Sequence, residues 1–379
     1  VHDAVRDALS PLSTALRARA ATVAVALSGG RDSMALLDAA TAIAPELGLT
    51  LSAIHVHHGL SPNADAWTRF CEEECARRGV PLTVHRVAVD RALGDGLESA
   101  ARRARYEAFE AAAVDAVALA HHADDQAETV LLQLLRGAGP HGLAAMPASR
   151  ASRRLLFVRP LLALPRSALA AYARARSLSW VEDESNADQR RARNLVRCTI
   201  APQLAAAFPG YPATLARAAS HQSEAALLLD ELAQQDAGGA IVEGTLARDR
   251  LIALPPHRAR NLLRWFLRTL GLRPPSTARL AAMLAALVRA ERDARVRLVH
   301  DGREIGIHRG RIVVHAPPSA PFAVRWRGET QLALPHGTLE FVAVEGHGLA
   351  ADRAHAANVV VRSRQGGERI RLAADGGRQ

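Results

Sequence analysis

Short apolar, β-branched runs alternate with amphipathic stretches through the first half of the chain. Thr22 to Leu27, Leu49 to Val56, Leu82 to Val89, Val114 to Ala120 and Leu155 to Val158 read as strands. Met34 to Ala40, Asp65 to Arg78, Gly96 to Ala113 and Asp124 to Leu135 carry helical spacing between them, and another helix opens at Pro165. Strands that alternate with helices predict an α/β unit built on a doubly wound parallel sheet, where ligands sit beyond the carboxyl ends of the strands. From about Pro202 the pattern turns helical: Tyr211 to Asp236, His257 to Leu270 and Thr277 to Arg289. Beyond Arg297 come β-like stretches, Arg311 to His315 and Leu339 to Val344, and Val359 to Arg371 reads as the opening of another β-rich unit. The expected order is a doubly wound domain over 1–205, an all-helical domain over 206–296, a β-rich connector over 297–350 and an incomplete, truncated α+β C-terminal domain over 351–379.

The first strand runs straight into Ser28-Gly29-Gly30-Arg31-Asp32-Ser33 and a helix. Two glycines let several backbone N–H groups converge on one anion at a helix N-terminus, where the helix dipole favours negative charge. Ser28 and Ser33 add hydroxyls, and Asp32 adds a carboxylate able to hold Mg²⁺ against phosphate oxygens. These features predict a phosphate site over Ser28, Gly29, Gly30, Arg31, Asp32 and Ser33, with Asp32 as the metal ligand. The spacing fits neither a Walker A loop nor a dinucleotide fingerprint. On its own, the string also fits a tight strand-to-helix turn capped by Asp32 and Ser33.

Composition narrows the class. The chain has 379 residues, enough for two or three domains, and its 49% hydrophobic content can fill their cores. All 48 basic residues are arginines and the formal charge is +10, which suits a polyanionic partner such as RNA, since guanidinium binds phosphate in a fork and stacks on bases. Three cysteines, Cys71, Cys75 and Cys198, cannot make a disulfide framework and point to a reducing cytoplasm. Cys71 and Cys75 sit four apart in a helical stretch, where a buried face is the simpler reading. No apolar run is long enough to span a bilayer, so no membrane is expected.

Two further strings carry chemistry. His121-His122-Ala123-Asp124-Asp125-Gln126-Ala127-Glu128 follows the fourth strand and opens a helix, so three carboxylates line one first turn. Capping by Asp124 accounts for part of it; two histidines ahead of three acids suit a site that binds Mg²⁺ or an ammonium group and handles protons. On the preceding helix Arg102 and Arg105 are three apart and can face one anion, or solvent. The acids of 182–188 and the arginines Arg193 and Arg197 can pair with each other.

SGGRDS resembles the pyrophosphate loop of the ATP pyrophosphatase (PP-loop) family. Together with HHGLSPNAD, ARRARY, LAHHADDQAETVLLQLLRGAG, RPLL, WVEDESNAD, RARNLVR and the C-terminal VRSRQGGERI, in this order, it resembles the tRNA(Ile)-lysidine synthase family. That resemblance implies a PP-loop catalytic domain over 1–205, a helical tRNA-binding domain over 206–296 and the start of a C-terminal tRNA-binding domain over 351–379. It implies a ligase that uses ATP and Mg²⁺: oxygen on carbon 2 of the wobble cytidine of a CAU-anticodon isoleucine tRNA attacks the α-phosphate, and free L-lysine then displaces AMP to give lysidine, so that the tRNA reads AUA as isoleucine. In this scheme the loop holds pyrophosphate and Asp32 organises Mg²⁺. Arg105, with Arg102 as second choice, neutralises charge at the α-phosphate. Asp124, Asp125 and Glu128 receive the lysine ammonium or a metal, and one acid or His121 takes the proton. A homodimer is left open. Two other classes share parts of the pattern: an amide-forming ATP pyrophosphatase, which needs a glutaminase cysteine that the positions of Cys71, Cys75 and Cys198 do not suggest, and a non-catalytic RNA-binding module, in which Asp32, Asp124, Asp125 and Glu128 would have no task. The absence of C-x-x-C argues against a sulfur-inserting relative.

Overall fold

The computed structural model describes residues 1–15, 20–89, 97–152, 154–184, 188–291, 296–316, 321–335, 337–345 and 359–363. Two units divide at Leu229 and Asp230. In chain order the first contains α1 (His2–Ala15), β1 (Thr22–Ala26), α2 (Arg31–Ile43), β2 (Thr50–His57), α3 (Ala64–Arg77), β3 (Leu82–Arg86), α4 (Leu97–Glu110) and β4 (Ala116–Ala118). It continues through α5 (Ala123–Leu135), α6 (Pro140–Leu143), β5 (Ser149–Ala151), β6 (Leu156–Val158), α7 (Arg166–Ala175) and α8 (Ala192–Leu195). A π-helical turn (Val196–Ile200), α9 (Ala201–Ala207) and α10 (Tyr211–Ala237) follow, and the division falls within α10.

The sheet order is β3-β2-β1-β4-β6-β5, parallel throughout except at β5, which pairs antiparallel with β6. The predicted parallel sheet is therefore present, with an antiparallel edge strand that the polar, exposed Ser149–Ala151 did not announce. Period-2 alternation sends successive residues to opposite faces. Val23, Val25, Ala116 and Ala118 pack with Val5, Leu9, Met34, Leu37 and Leu169 of α1, α2 and α7, and buried Cys71 and Cys75 of α3 join them as their spacing suggested. Ala24, Ile54, Val117 and Phe157 face the other way onto Phe109 of α4. The order reverses between β1 and β4, so the carboxyl ends of these two strands open on a topological switch point.

The second unit holds β7 (Ile241–Val242), β8 (Thr245–Ala247), α11 (Arg248–Ala253), α12 (Pro256–Thr269), α13 (Thr277–Arg289), β9 (Arg297–His300), β10 (Arg303–His308) and β11 (Arg311–His315). After these come β12 (Ala323–Arg325), β13 (Gln331–Leu334), β14 (Gly337–Glu340) and β15 (Val360–Arg362). The middle region is helical as expected, with one addition: β7 and β8 join β11, β10 and β9 in a single sheet. Ala259, Leu262, Leu263, Phe266 and Leu267 recur at helical spacing on α12 and share one core with Leu280, Met283, Ile305 and Ile312. The helical stretch and the first part of the β-rich stretch, expected as separate domains, thus bury their apolar faces on each other. Small antiparallel pairs, β12 with β15 and β13 with β14, complete the unit. Ser185, Asn186 and Ala187 of the acidic string, and residues 364–370 of VRSRQGGERI, lie outside the described residues. Among the described residues no helix is long and apolar enough to cross a membrane.

Candidate active site

The loop after β1 is held from three sides. Leu27 N–H donates to Ile54 O at 2.8 Å, Val181 N–H donates to Gly29 O at 3.0 Å, and Met34 N–H to Gly30 O at 3.0 Å starts α2. Ser28 and Ser33 close the turn on each other: their hydroxyl oxygens are 3.1 Å apart, Ser33 Oγ accepts from Ser28 N–H at 3.2 Å, and the Ser33 hydroxyl donates to Gly30 O at 2.9 Å. Gly30 stands at the N-cap of α2 with no side-chain cap, so the first amides of the helix are left for a ligand.

Gly29 has φ +83°, and an added Cβ would lie 3.0 Å from Val181 Cγ2 and 3.2 Å from Cys71 Sγ. The left-handed conformation alone costs a residue with a Cβ about 1–2 kcal/mol. Gly29→Ala is expected to lower the urea midpoint and weaken binding of a phosphate ligand several-fold; unchanged binding would show that the loop does not hold phosphate.

Asp32, in the first turn of α2, faces the end of β4. Arg31 donates to its Oδ1 at 2.9 and 3.0 Å, and His122 Nε2 lies 3.5 Å from its Oδ2. Burial pushes the Asp32 carboxyl up, but the His122 ring and the Arg31 guanidinium outweigh burial and hold it below the usual range. His122 is the N-cap of α5: its Nδ1 accepts from Asp125 N–H at 3.3 Å while Asp125 Oδ2 accepts from His122 N–H at 3.1 Å, a reciprocal capping box. The accepting Nδ1 places the neutral ring's proton on Nε2, toward Asp32. Burial disfavours the imidazolium, yet contact with Asp32 and the charges of Asp125 and Asp124 raise the ring's pKa above its ordinary value.

The extended backbone at His122 sends the adjacent histidines to opposite sides. His121 lies among Arg159, Arg193, Arg102 and Arg105; burial first, and these charges next, keep it well below the ordinary imidazole value. Its Nδ1 is buried without a hydrogen-bond partner. Arg105 reaches His58 Nε2 at 3.4 Å, and burial together with Arg105 pushes His58 down to about 4. Arg102 turns instead to the Tyr106 hydroxyl at 3.3 Å, so the two arginines expected to share one anion point to different partners.

The three acids of α5 separate in role. Asp124 accepts from Arg166 N–H at 2.8 Å and so anchors the start of α7. Asp125 and Glu128 are buried against Arg193 and Arg197. Arg197 donates to Glu128 Oε1 at 2.6 Å, to Glu128 Oε2 at 2.9 Å and to Asp125 Oδ1 at 2.8 Å, and Arg193 donates to Glu128 Oε2 at 2.8 Å. Burial opposes the Arg197 charge, but Glu128 and Asp125 raise its pKa further. Pairing of Arg193 and Arg197 with the acids of 182–188 is therefore corrected: their partners lie on α5. Glu184 instead accepts from Ser61 at 2.6 Å, and Asp188 from Arg190 at 2.8 Å. Arg193 and Arg197 join the site from a segment whose place the sequence does not fix; their i, i+4 spacing is the one signal that the sequence offers.

Loop amides, the Asp32 carboxylate and flanking guanidiniums gather at the switch point, a donor set suited to an anion and its counter-ion, and the paired acids and arginines lie beside it as a second polar cluster. No group of three or more His, Cys, Asp or Glu side chains able to hold a metal occurs among the described residues. Mg²⁺ needs only one or two carboxylates when phosphates supply other ligands, and Asp32, 28% exposed at its side chain, meets that requirement.

Comparison with known proteins agrees with this geometry. Residues 4–204 match the PP-loop domain family model, and residues 246–313 match the TilS substrate binding domain. The chain is 42% identical over 354 residues to the tRNA(Ile)-lysidine synthase of Nitrosomonas europaea, covering 91% of this chain and 77% of that protein. It is 42% identical over 372 residues to the enzyme of the same name from Azoarcus sp., covering 96% and 81%. The Ralstonia nicotianae protein of that name is 44% identical over 371 residues, covering 93% and 80%. With both of its units matched and likeness extending over more than nine-tenths of its length, the chain belongs to the tRNA(Ile)-lysidine synthase family.

Proposed function

We propose that this chain ligates lysine to carbon 2 of the wobble cytidine of a CAU-anticodon isoleucine tRNA, using ATP and releasing AMP and pyrophosphate. The observation that carries this reading is the meeting of the Ser28–Ser33 loop with Asp32 and His122 at the switch point. Amides at the start of α2 hold the pyrophosphate that leaves, so negative charge develops where the helix dipole already favours it. Asp32 would hold Mg²⁺, which when bound neutralises phosphate charge. Arg105 stabilises charge at the α-phosphate as oxygen on carbon 2 of the cytosine attacks it. Splaying of the anticodon loop brings that base to the sheet edge.

In the second step the ε-amine of lysine attacks carbon 2 and AMP leaves. Free lysine carries both a carboxylate and ammonium groups, and the alternating Asp125, Glu128, Arg193 and Arg197 offer charges of both signs. Asp124, whose carboxylate accepts from Arg166 N–H, borders this subsite and is the third acid that could meet the ammonium. The attacking amine must lose its proton, and one acid of this subsite or His121 takes it. Among the described residues the cysteines form no disulfide, which fits a reducing cytoplasm.

The test is mass spectrometry of nucleosides from a CAU-anticodon isoleucine tRNA transcript incubated with this chain, ATP, Mg²⁺ and lysine. Lysidine is expected, and its formation should require all four components. AMP release without RNA would favour an amide-forming pyrophosphatase, and no AMP release at all would favour an RNA-binding module.

A further inference from the structure

A second basic cluster lies on the α4 side of the sheet, centred on Tyr106. The Tyr106 ring packs on Phe157 of β6 at 5.0 Å between centroids and on Phe109 at 5.9 Å. Arg102, one helical turn earlier, lies over the ring at 5.0 Å. Arg150 of β5 lies over the same ring at 5.5 Å and over Phe157 at 5.0 Å. The antiparallel pairing of β5 sets Arg150 opposite Phe157, so the edge strand is what delivers this guanidinium.

Arg159, directly after β6, is 5% exposed. It donates to Pro147 O at 2.7 Å, but its Nε is buried with no hydrogen-bond partner. Burial pushes its guanidinium down despite Tyr106, and Arg150 and Arg102 push it down further. Among the described residues Arg102, Arg150 and Arg159 form no ion pair; their partners are an aromatic ring, a phenol oxygen and a carbonyl. Three like charges gathered around one ring, one of them buried with an unused N–H, cost free energy that a bound anion would offset. The neighbouring His121 Nδ1, also buried without a partner, adds a second unused polar atom on the same side.

We propose that Arg102, Arg150 and Arg159 form a binding site for a phosphodiester group of the RNA substrate, on the α4 face of the sheet. This rests on the tRNA-modifying reading above. Guanidinium forks suit phosphate oxygens, and an anion here would satisfy the Arg159 Nε. The site would hold the RNA backbone while the target base reaches the switch point. Phosphate could also come from the ATP triphosphate, so the two sources are separated by experiment.

Arg150→Ala and Arg150→Glu remove or reverse an exposed charge that touches neither the loop nor the acids of α5. Binding of the tRNA transcript would be followed by fluorescence anisotropy over a range of salt, together with ATP KM, kcat at saturating tRNA and the thermal midpoint. Arg150→Ala should weaken tRNA binding several-fold and reduce the slope of log affinity against log salt by about 1; Arg150→Glu should weaken it about tenfold or more. Arg102→Ala should also weaken tRNA binding. ATP KM, kcat and midpoint should hold for both Arg150 variants. Unchanged tRNA affinity and slope would overturn the proposal, and so would a raised ATP KM with tRNA affinity intact, which would assign the cluster to ATP. Lysidine formation is scored separately on the unaltered chain: weaker RNA binding by the variants alongside no lysidine would support the phosphate site and reject the reading on which it rests.

Discussion

Asp32→Ala is expected to reduce tRNA-dependent pyrophosphate release by about 10²–10³-fold while leaving the affinity for tRNA within a factor of two, the reduction being that of one aimed electrostatic group at a reacting phosphate. The side chain is placed for this task and for little else. It is partly exposed at the start of α2, and its neighbours are Arg31 and His122. Removing it leaves Arg31 and His122 without their shared anion but opens no cavity in the apolar core. A purely structural role would instead weaken tRNA binding as much as pyrophosphate release, so parallel measurement of tRNA affinity and pyrophosphate release decides between them.

The same pair sets a pH window. Asp32 is held below the usual carboxylate range, so its contribution to stability is present above the unfolded-state value and lost as pH falls through the lowered one. His122 is raised, so its contribution is fully present below the unfolded imidazole value and lost as pH rises through the raised one. The ion pair is at its strongest between the two. Asp32→Ala removes the acid edge and weakens the His122 edge, which Asp125 and Asp124 still support, so the pH dependence of its stability should be flatter on the acid side than that of the unaltered chain.

How this site was legible follows from which contacts are local. The loop motif, its strand and its helix are contiguous, and Thr22 to Leu27 places them with an error of one residue at the strand end. The string at 121–128 was legible as chemistry because two histidines and three acids exceed what a helix cap requires. That the two motifs meet depends on β1 and β4 being sheet neighbours, which the doubly wound pattern implies through its order reversal. The division of labour between His121 and His122 was not legible, because it depends on which side of one extended residue each ring falls. Nor was the partnership of Arg193 and Arg197 with Glu128, which spans 65 and 69 positions and competes with nearer acids. In the second unit, two strands of two and three residues carry too little periodicity to be found between helices.

Arg197→Ala is expected to cost about 2–3 kcal/mol of stability, below the roughly 3–5 kcal/mol for a buried charge left with no partner, because Glu128 keeps Arg193. Glu128 is 4% exposed and accepts from two guanidiniums; without Arg197 it keeps Arg193 but loses its closest donor, and Asp125 loses its 2.8 Å contact. The cost arises from carboxylates left in a medium that solvates them poorly, so removing charge on the other side should recover part of it. Glu128→Gln combined with Arg197→Met should therefore be less destabilising than the sum of the two single changes, a coupling that urea titration of the four proteins would measure. Additive losses would mean that each side chain acts through its own packing, not through the pair. The same four proteins bear on lysine. If the acid–arginine set receives the amino acid, the double variant that regains stability should still show a KM for lysine raised by tenfold or more with ATP KM little changed. Recovery of both stability and lysine KM would confine the cluster to holding α5 against the π-helical turn.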